Sequence, residues 1–299
     1  MKRSIKVDFA SFWPNFDKTD NYFYHLLSTN YNVKITNESP DLLFYSVDYG
    51  GQKEHLNKSY RNSKKIFFTG ENVMPDFEIC DASFSFMENI DNKNYRLPLW
   101  VLFINWFEVP QKNQRDISFL IDKKNIINTK KIHKPNKNFC SFVASNPSGE
   151  RVNFAKQLDA LKEIDSRGKL FNESGKTIKG RGDQKWKIKF LAKYRFNIAF
   201  ENTISQGYVT EKIIHPLSVN SIPIYWGAQN VDQDFNPESF INVNKFESFQ
   251  SAMEYIIKLE ENLDLYLAKI NTPSFENDEF PSFALPENVL KFIIDLVES

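Results

Sequence analysis

The segment YRFNIAFENTISQGYVTEKIIHPLSVNSIPIYW (194–226) constrains the fold more than any other. An apolar run of strand length, FNIAF (196–200), gives way to a short polar loop. An amphipathic stretch, YVTEKIIHPLSV (208–219), follows, and a second apolar run, SIPIYW (221–226), closes the unit. Strand, loop, helix and strand in about thirty residues is the spacing of a crossover between neighbouring parallel strands. Such strands are covered on both faces, so this chain has to bury a sheet between helices.

The same alternation recurs on both sides. IKVDF (5–9), NVKIT (32–36), LLFYSV (42–47), KIFFT (65–69) and the weaker ASFSF (82–86) read as strands, with a helix at 21–31. After residue 137, FCSFVAS (139–145) and SFINV (239–243) read as strands. Helices are predicted over 149–164, 185–194, 208–219 and 248–270. A last helix over 286–298 opens with Pro286 and Glu287, good first-turn residues. The 299 residues suit two domains of about 150 each. The stretch 108–137 is rich in Lys, Asn and Gln and reads as a connector, so the boundary is set at 1–118 and 119–299. Two doubly wound α/β halves follow.

Composition removes several classes of function. Lys plus Arg and Asp plus Glu number 38 each, which argues against a broad nucleic-acid surface. Cys80 and Cys140 form no CxxC, so they read as buried thiols in a reducing cytosol rather than as a disulfide or zinc site. Lys6 and Asp8 interrupt any signal-like run, and no segment reaches the roughly 18 apolar residues of a membrane span. The expectation is a cytoplasmic protein, at most peripheral to a membrane. No Gly-rich phosphate loop is present; GRGDQKW (180–186) lacks the pattern and reads as a mobile connecting loop. The four His residues show no ligand spacing, and DQD (232–234) reads as capping or surface.

In doubly wound sheets ligands bind at the carboxyl ends of strands. Glu201 and Asn202 stand there behind FNIAF, and Thr210, Glu211 and Lys212 fall near the start of the next helix. Lys212 has the wrong sign for a helix N-terminus, which favours a role toward an anion. On spacing alone, a solvated helix start is an equal reading.

Longer stretches narrow the choice. YRFNIAFENTISQGYVTEKI, followed by IPIYWGAQNVDQDFNPESFINVNKF (222–246), resembles the signature of the α-1,3/4-fucosyltransferases. FVASNPSGERVNF (142–154), FFTGEN (67–72) and YRLPLW (95–100) are similar to further segments of that family, in its soluble bacterial members. The resemblance implies a GT-B fold: two Rossmann-like domains facing across a cleft, with the C-terminal helix packing back on the N-domain. It implies that the C-terminal half binds the donor substrate GDP-fucose and the N-terminal half an oligosaccharide acceptor of N-acetyllactosamine or lactose type. It implies an inverting transfer to the GlcNAc or glucose O3, for bacterial surface glycan, with no cofactor or metal required.

Residue roles follow from that resemblance. Glu71, behind the KIFFT strand, matches the family's catalytic base; on position alone it reads as an exposed loop glutamate, and partial burial is expected if it serves as base. Arg151 and Lys212 would meet the charge on the leaving diphosphate. Asn202, Tyr208 and Glu211 match positions that hold the ribose, phosphates or fucose. Ser145 and Asn146 could bond guanine or phosphate, or only make the turn. Trp13 could stack on an acceptor sugar, or be core. Glu201 reads as structural, Tyr194 and Phe196 as core. Two rivals stay open: a GT-B transferase of another nucleotide sugar, and a nucleotide-sugar-binding protein without turnover. The acidic end FIIDLVES carries no heptad repeats or basic tail, which puts the family's membrane attachment and repeat-driven dimerisation in doubt.

Overall fold

The structure, a computed structural model, describes residues 2–89, 92–110, 120–129, 131–134, 137–144, 149–167 and 184–298. These fall into two compact units. One runs to Leu102 and takes in the chain from Ser282 onward; the other spans Phe103–Pro281. A single boundary at 118–119 does not describe this, because the chain leaves the first unit at Leu102 and returns to it at Ser282. Much of the 108–137 connector, and residues 180–183 of GRGDQKW, lie outside the described residues.

The first unit is built on strands β1 (Arg3–Ala10), β2 (Tyr31–Ile35), β3 (Leu42–Tyr45), β4 (Lys64–Phe68), β5 (Ala82–Ser85) and β6 (Asn94–Arg96). They lie in the order β2-β1-β3-β4-β5-β6 and every pairing is parallel. Helix α1 (Tyr22–Asn30) starts where the Asn21 side chain accepts from the Tyr24 amide. It lays Phe23 against Phe44, Phe68 and Phe84, with ring centroids 4.7–5.2 Å apart. Strand β6 escapes sequence reading because its inward residue is polar: Asn94 is fully buried, accepts from Ser83 and Ser85, and donates to the Met87 carbonyl, each at 2.7 Å.

The second unit holds β7 (Asn138–Phe142), α2 (Gly149–Leu161), β8 (Ile164–Ser166), α3 (Gln184–Leu191), β9 (Tyr194–Phe200), α4 (Glu211–Leu217), β10 (Ile222–Trp226) and β11 (Ile241–Asn242). Its parallel sheet runs β11-β10-β9-β7-β8. Both sheets therefore share one topology, and in each the strand order reverses beside the first strand, at β1/β3 and at β7/β9. The core gathers Phe142, Phe154, Phe196, Phe200, Ile224, Ile256 and Tyr266. The helix expected over 248–270 is two helices, α5 (Phe249–Glu261) and α6 (Leu263–Ile270). Asn262 ends the first and caps the second by accepting from the Leu265 amide. The helix expected from 208 begins only at Glu211, because Thr210 is extended.

The last helix, α7 (Pro286–Glu298), belongs to the first unit, as the resemblance implies. Val289 and Ile293 are fully buried there, α7 packs on α1, and the Phe292 ring lies 5.4 Å from both Phe84 and Tyr95.

Candidate functional site

Two crossovers of the second unit bring charged side chains together at the β7/β9 reversal, the place where doubly wound sheets take ligands. From the start of α2, Arg151 turns inward and is only 3% exposed. Its Nη2 donates to Asn202 Oδ1, behind β9, at 2.6 Å, while its Nε is buried without a partner among the described residues. Burial lowers the guanidinium's pKa, opposed by the charges of Glu201 and Glu211.

Glu201 ends β9 and is fully buried. Its carboxylate accepts from the Thr210 amide at 2.7 Å, from the Thr210 hydroxyl at 2.8 and 2.9 Å, and from Lys212 Nζ at 2.9 Å. That arrangement explains two local features. Thr210 does not cap α4 with its own side chain, because its hydroxyl is committed to Glu201. Lys212 tolerates the first turn of a helix because a buried carboxylate faces it. Burial alone would lower the Lys212 pKa; Glu201 and then Glu211 overcome it and raise the value above its ordinary range.

Beside this pair stands a second. Lys187, on α3, meets Glu211 Oε1 at 3.1 Å, both side chains being 17% exposed. Burial would raise the Glu211 carboxyl, yet Lys187 and Lys212 hold it well below its ordinary range. His215, one turn on, is fully buried with neither ring nitrogen bonded among the described residues, and its ring stands edge-on to Phe103. Burial, then Lys187, pushes its pKa far down, so it is neutral. Three cations (Arg151, Lys187, Lys212) against two carboxylates (Glu201, Glu211) leave one positive charge in excess.

The loop before α4 is shaped to fit. Gly207 adopts φ 75°, a conformation that favours glycine, and its amide donates to Asn230. Tyr208 is buried at 3% exposure. Gly227, behind β10, touches Glu201 so closely that a Cβ there would lie 2.6 Å from Glu201 Cγ.

Thus the structure brings Arg151, Asn202, Glu211 and Lys212 into one cluster, with Tyr208 in the loop that leads into it. Ser145 and Asn146 lie outside the described residues. Tyr194 and Phe196 are buried, as expected of core. Glu201, read as structural, is fully buried and anchors Lys212. Lys187 and Gly227 were not singled out by sequence, and Thr210 only as a residue near the helix start. The nine- and eleven-residue intervals from Glu201 to Thr210 and Lys212 carry that signal only once β9 and α4 are known to be neighbours. DQD lies in a turn, where Asp232 pairs with Lys245 at 3.1 Å. No group of three or more His, Cys, Asp or Glu is placed to hold a metal among the described residues.

In the first unit, the β1/β3 reversal carries Trp13 after β1 and Tyr49 after β3, with ring centroids 6.2 Å apart. Trp13 is half-buried against Phe12 and Phe16, and Tyr49 is 45% exposed. Glu71 follows β4. The Thr69 hydroxyl accepts from its amide at 3.0 Å. Its side chain is exposed, as the reading from position alone has it.

Residues 132–270 match the model described as "Glycosyltransferase family 10 (fucosyltransferase) C-term", and residues 7–103 match the α-(1,3)-fucosyltransferase FucT N-terminal domain. The chain belongs to the family 10 fucosyltransferases. Among curated relatives, the α-(1,3)-fucosyltransferase FucT of Helicobacter pylori is 34% identical over 291 residues, covering 88% of this chain and 59% of its own length. A solved α1,3-fucosyltransferase with GDP-fucose superposes with a TM-score of 0.75 at 26% identity, over all of this chain and 92% of that one. Another α1,3-fucosyltransferase structure gives 0.78 at 28%, over all of this chain and 91% of that one. The fold is accordingly the GT-B fold of that family. Glu71 falls inside the matched N-terminal segment, and the cluster around Arg151 and Lys212 inside the C-terminal one. No helix among the described residues is long and apolar enough to cross a membrane.

Proposed function

We propose that this fucosyltransferase moves L-fucose from GDP-β-L-fucose, with inversion, to the GlcNAc O3 of an N-acetyllactosamine acceptor or the glucose O3 of lactose. The second unit would take the donor and the first the acceptor, in the cytoplasm, for bacterial surface glycan. One observation carries the donor assignment. Arg151 is a buried guanidinium with an unpartnered Nε, in a cluster with one positive charge in excess, on a chain similar to an enzyme solved with GDP-fucose. A buried, unbonded cationic donor is costly unless an anion completes it, and a diphosphate suits the planar fork.

The chemistry divides between the units. The acceptor hydroxyl attacks the anomeric carbon as GDP departs. Glu71 takes the hydroxyl proton. Arg151 and Lys212 meet the charge growing on the diphosphate, held in advance by Asn202 and Glu201, so little reorganisation is needed as the bond breaks. Glu211 and Tyr208 hold ribose, phosphate or fucose, and Trp13 offers a ring to the acceptor.

Incubation with GDP-fucose and a panel of lactose, N-acetyllactosamine and its type 1 isomer, with NMR of the product, tests this. An α-1,3-fucoside is expected. A product carrying another sugar when other nucleotide sugars are supplied, with none from GDP-fucose, would replace the donor. Binding of GDP-fucose without any product would favour a non-catalytic protein.

A further inference from the structure

We propose that Lys187 is a positioning residue of the donor site: it holds one oxygen of the Glu211 carboxylate and leaves the other for a hydroxyl of the nucleotide sugar. This rests on the donor assignment above. Lys187 comes from α3, an element with no place in the residue roles discussed so far.

The geometry gives α3 a reason to be there. Ile188, Phe190 and Leu191 are buried, and Phe190 packs between Trp186 (5.1 Å, stacked) and Tyr194 (5.0 Å). This anchors the helix and fixes where Lys187 emerges. Its ammonium lies 3.1 Å from Glu211 Oε1, with both side chains mostly out of water. Among the described residues, no other hydrogen bond reaches the Glu211 carboxylate. Lys212, its sequence neighbour, is turned away to Glu201 and Thr210. Lys187 is therefore the cation that orients Glu211, and Oε2 keeps its accepting capacity.

Several charges face this carboxylate. Lys187 comes from α3, Lys212 and His215 from α4, and Arg151 from α2. His215 is neutral, and Arg151 is bonded to Asn202. Burial favours the protonated form of Glu211, and Lys187 is the largest influence against it. Without Lys187 the carboxyl pKa rises, and protonation turns an acceptor into a donor. The deficit must then grow as the pH falls.

A merely structural tie between α3 and α4 predicts something else: lower stability, with the same loss of activity at every pH. The test is kcat and KM for GDP-fucose from pH 4 to 8.5, in the unsubstituted chain, Lys187→Met and Lys187→Arg, with GDP calorimetry alongside. For Lys187→Met the expected result is a raised KM for GDP-fucose. Its acid limb should move up from below pH 4.5 into the measured range, so that kcat/KM falls further below the parent's at low pH than at high. Lys187→Arg, which keeps the charge, should restore the parent profile to within about threefold. Should Lys187→Met fail to fold, Lys187→Gln removes the charge at similar length and gives the same reading.

A Lys187→Met or Lys187→Gln profile that superposes on the parent's, or a loss independent of pH, overturns the role of Lys187 while the donor assignment stands. A parent chain that neither binds GDP nor transfers fucose overturns the donor assignment, and this inference with it.

Discussion

Replacing Gly227 with alanine would place a methyl carbon 2.6 Å from Glu201 Cγ, 2.7 Å from Tyr225 Oη and 2.9 Å from Glu201 Cβ. Ordinary contact begins near 3.4 Å, so Glu201 Cγ would have to retreat by 0.8 Å, 3.4 less 2.6. It has nowhere to go. The side chain is fully buried, and its oxygens are held at 2.7–2.9 Å by Thr210 and Lys212. A shift of that size would stretch those bonds to about 3.5 Å, beyond useful hydrogen-bond length. Overpacking of this kind costs about 1–3 kcal/mol. In a unit of this size each kcal/mol lowers Tm by about 2–4 °C. Because Lys212 is displaced with Glu201, GDP affinity should fall together with Tm. Differential scanning calorimetry and GDP titration of the same sample read both. Gly149→Ala is the control, since nothing lies within 4 Å of its new carbon; it should leave both readings nearly unchanged. A Gly227→Ala protein with parental Tm and parental GDP affinity would refute the claim that Gly227 exists to let this loop close on Glu201.

Other outcomes follow from the same arrangement. Lys212→Met leaves the Glu201 carboxylate buried and without its cation, at about 3–5 kcal/mol, and urea unfolding should show the loss along with weaker GDP binding. Ile293→Ala empties a fully buried site on α7 and should cost about 2–5 kcal/mol by urea unfolding, while GDP affinity, proposed above for the other unit, should stay within twofold or so of the parent. Glu211 sets an acid limit. Burial would raise its carboxyl, but Lys187 and Lys212 hold it well below the ordinary 4.5. Its contribution is thus complete above pH 4.5 and is lost as pH falls below it toward the folded value. Circular dichroism on acid titration should therefore show Lys187→Met unfolding at a higher pH than the parent.

Much of this was legible in the sequence because the β–α alternation is strong where strands are apolar. FNIAF and SIPIYW became β9 and β10, and the polar residues behind FNIAF became the site. What escaped notice was polar or short. β6 turns Asn94 inward, and β8 has three residues, so neither shows a hydrophobic run. Asn262 breaks a continuous amphipathic stretch by capping a new helix, a local bond that periodicity does not register. Within the site, Arg151 and Lys212 stood out as charges near helix starts, whereas Glu201 looked structural. Its importance depends on two partners lying nine and eleven residues away and on a glycine twenty-six residues on. Lys187 looked like any exposed lysine in KWKIKF, and only the packing of α3 on α4 separates it from its neighbours.

The central claim is that donor binding and proton transfer are housed in different parts of the chain: the Arg151–Lys212 cluster holds GDP-fucose, and the exposed Glu71 takes the acceptor's proton. The most direct measurement is a paired one on Glu71→Gln: GDP-fucose affinity by calorimetry, and the rate of transfer to N-acetyllactosamine. Affinity within about twofold of the parent and transfer reduced by about a hundredfold or more is the predicted result, since general bases contribute about 10²–10⁴ in rate. Transfer at the parental rate, or transfer lost only in proportion to lost affinity, would contradict it.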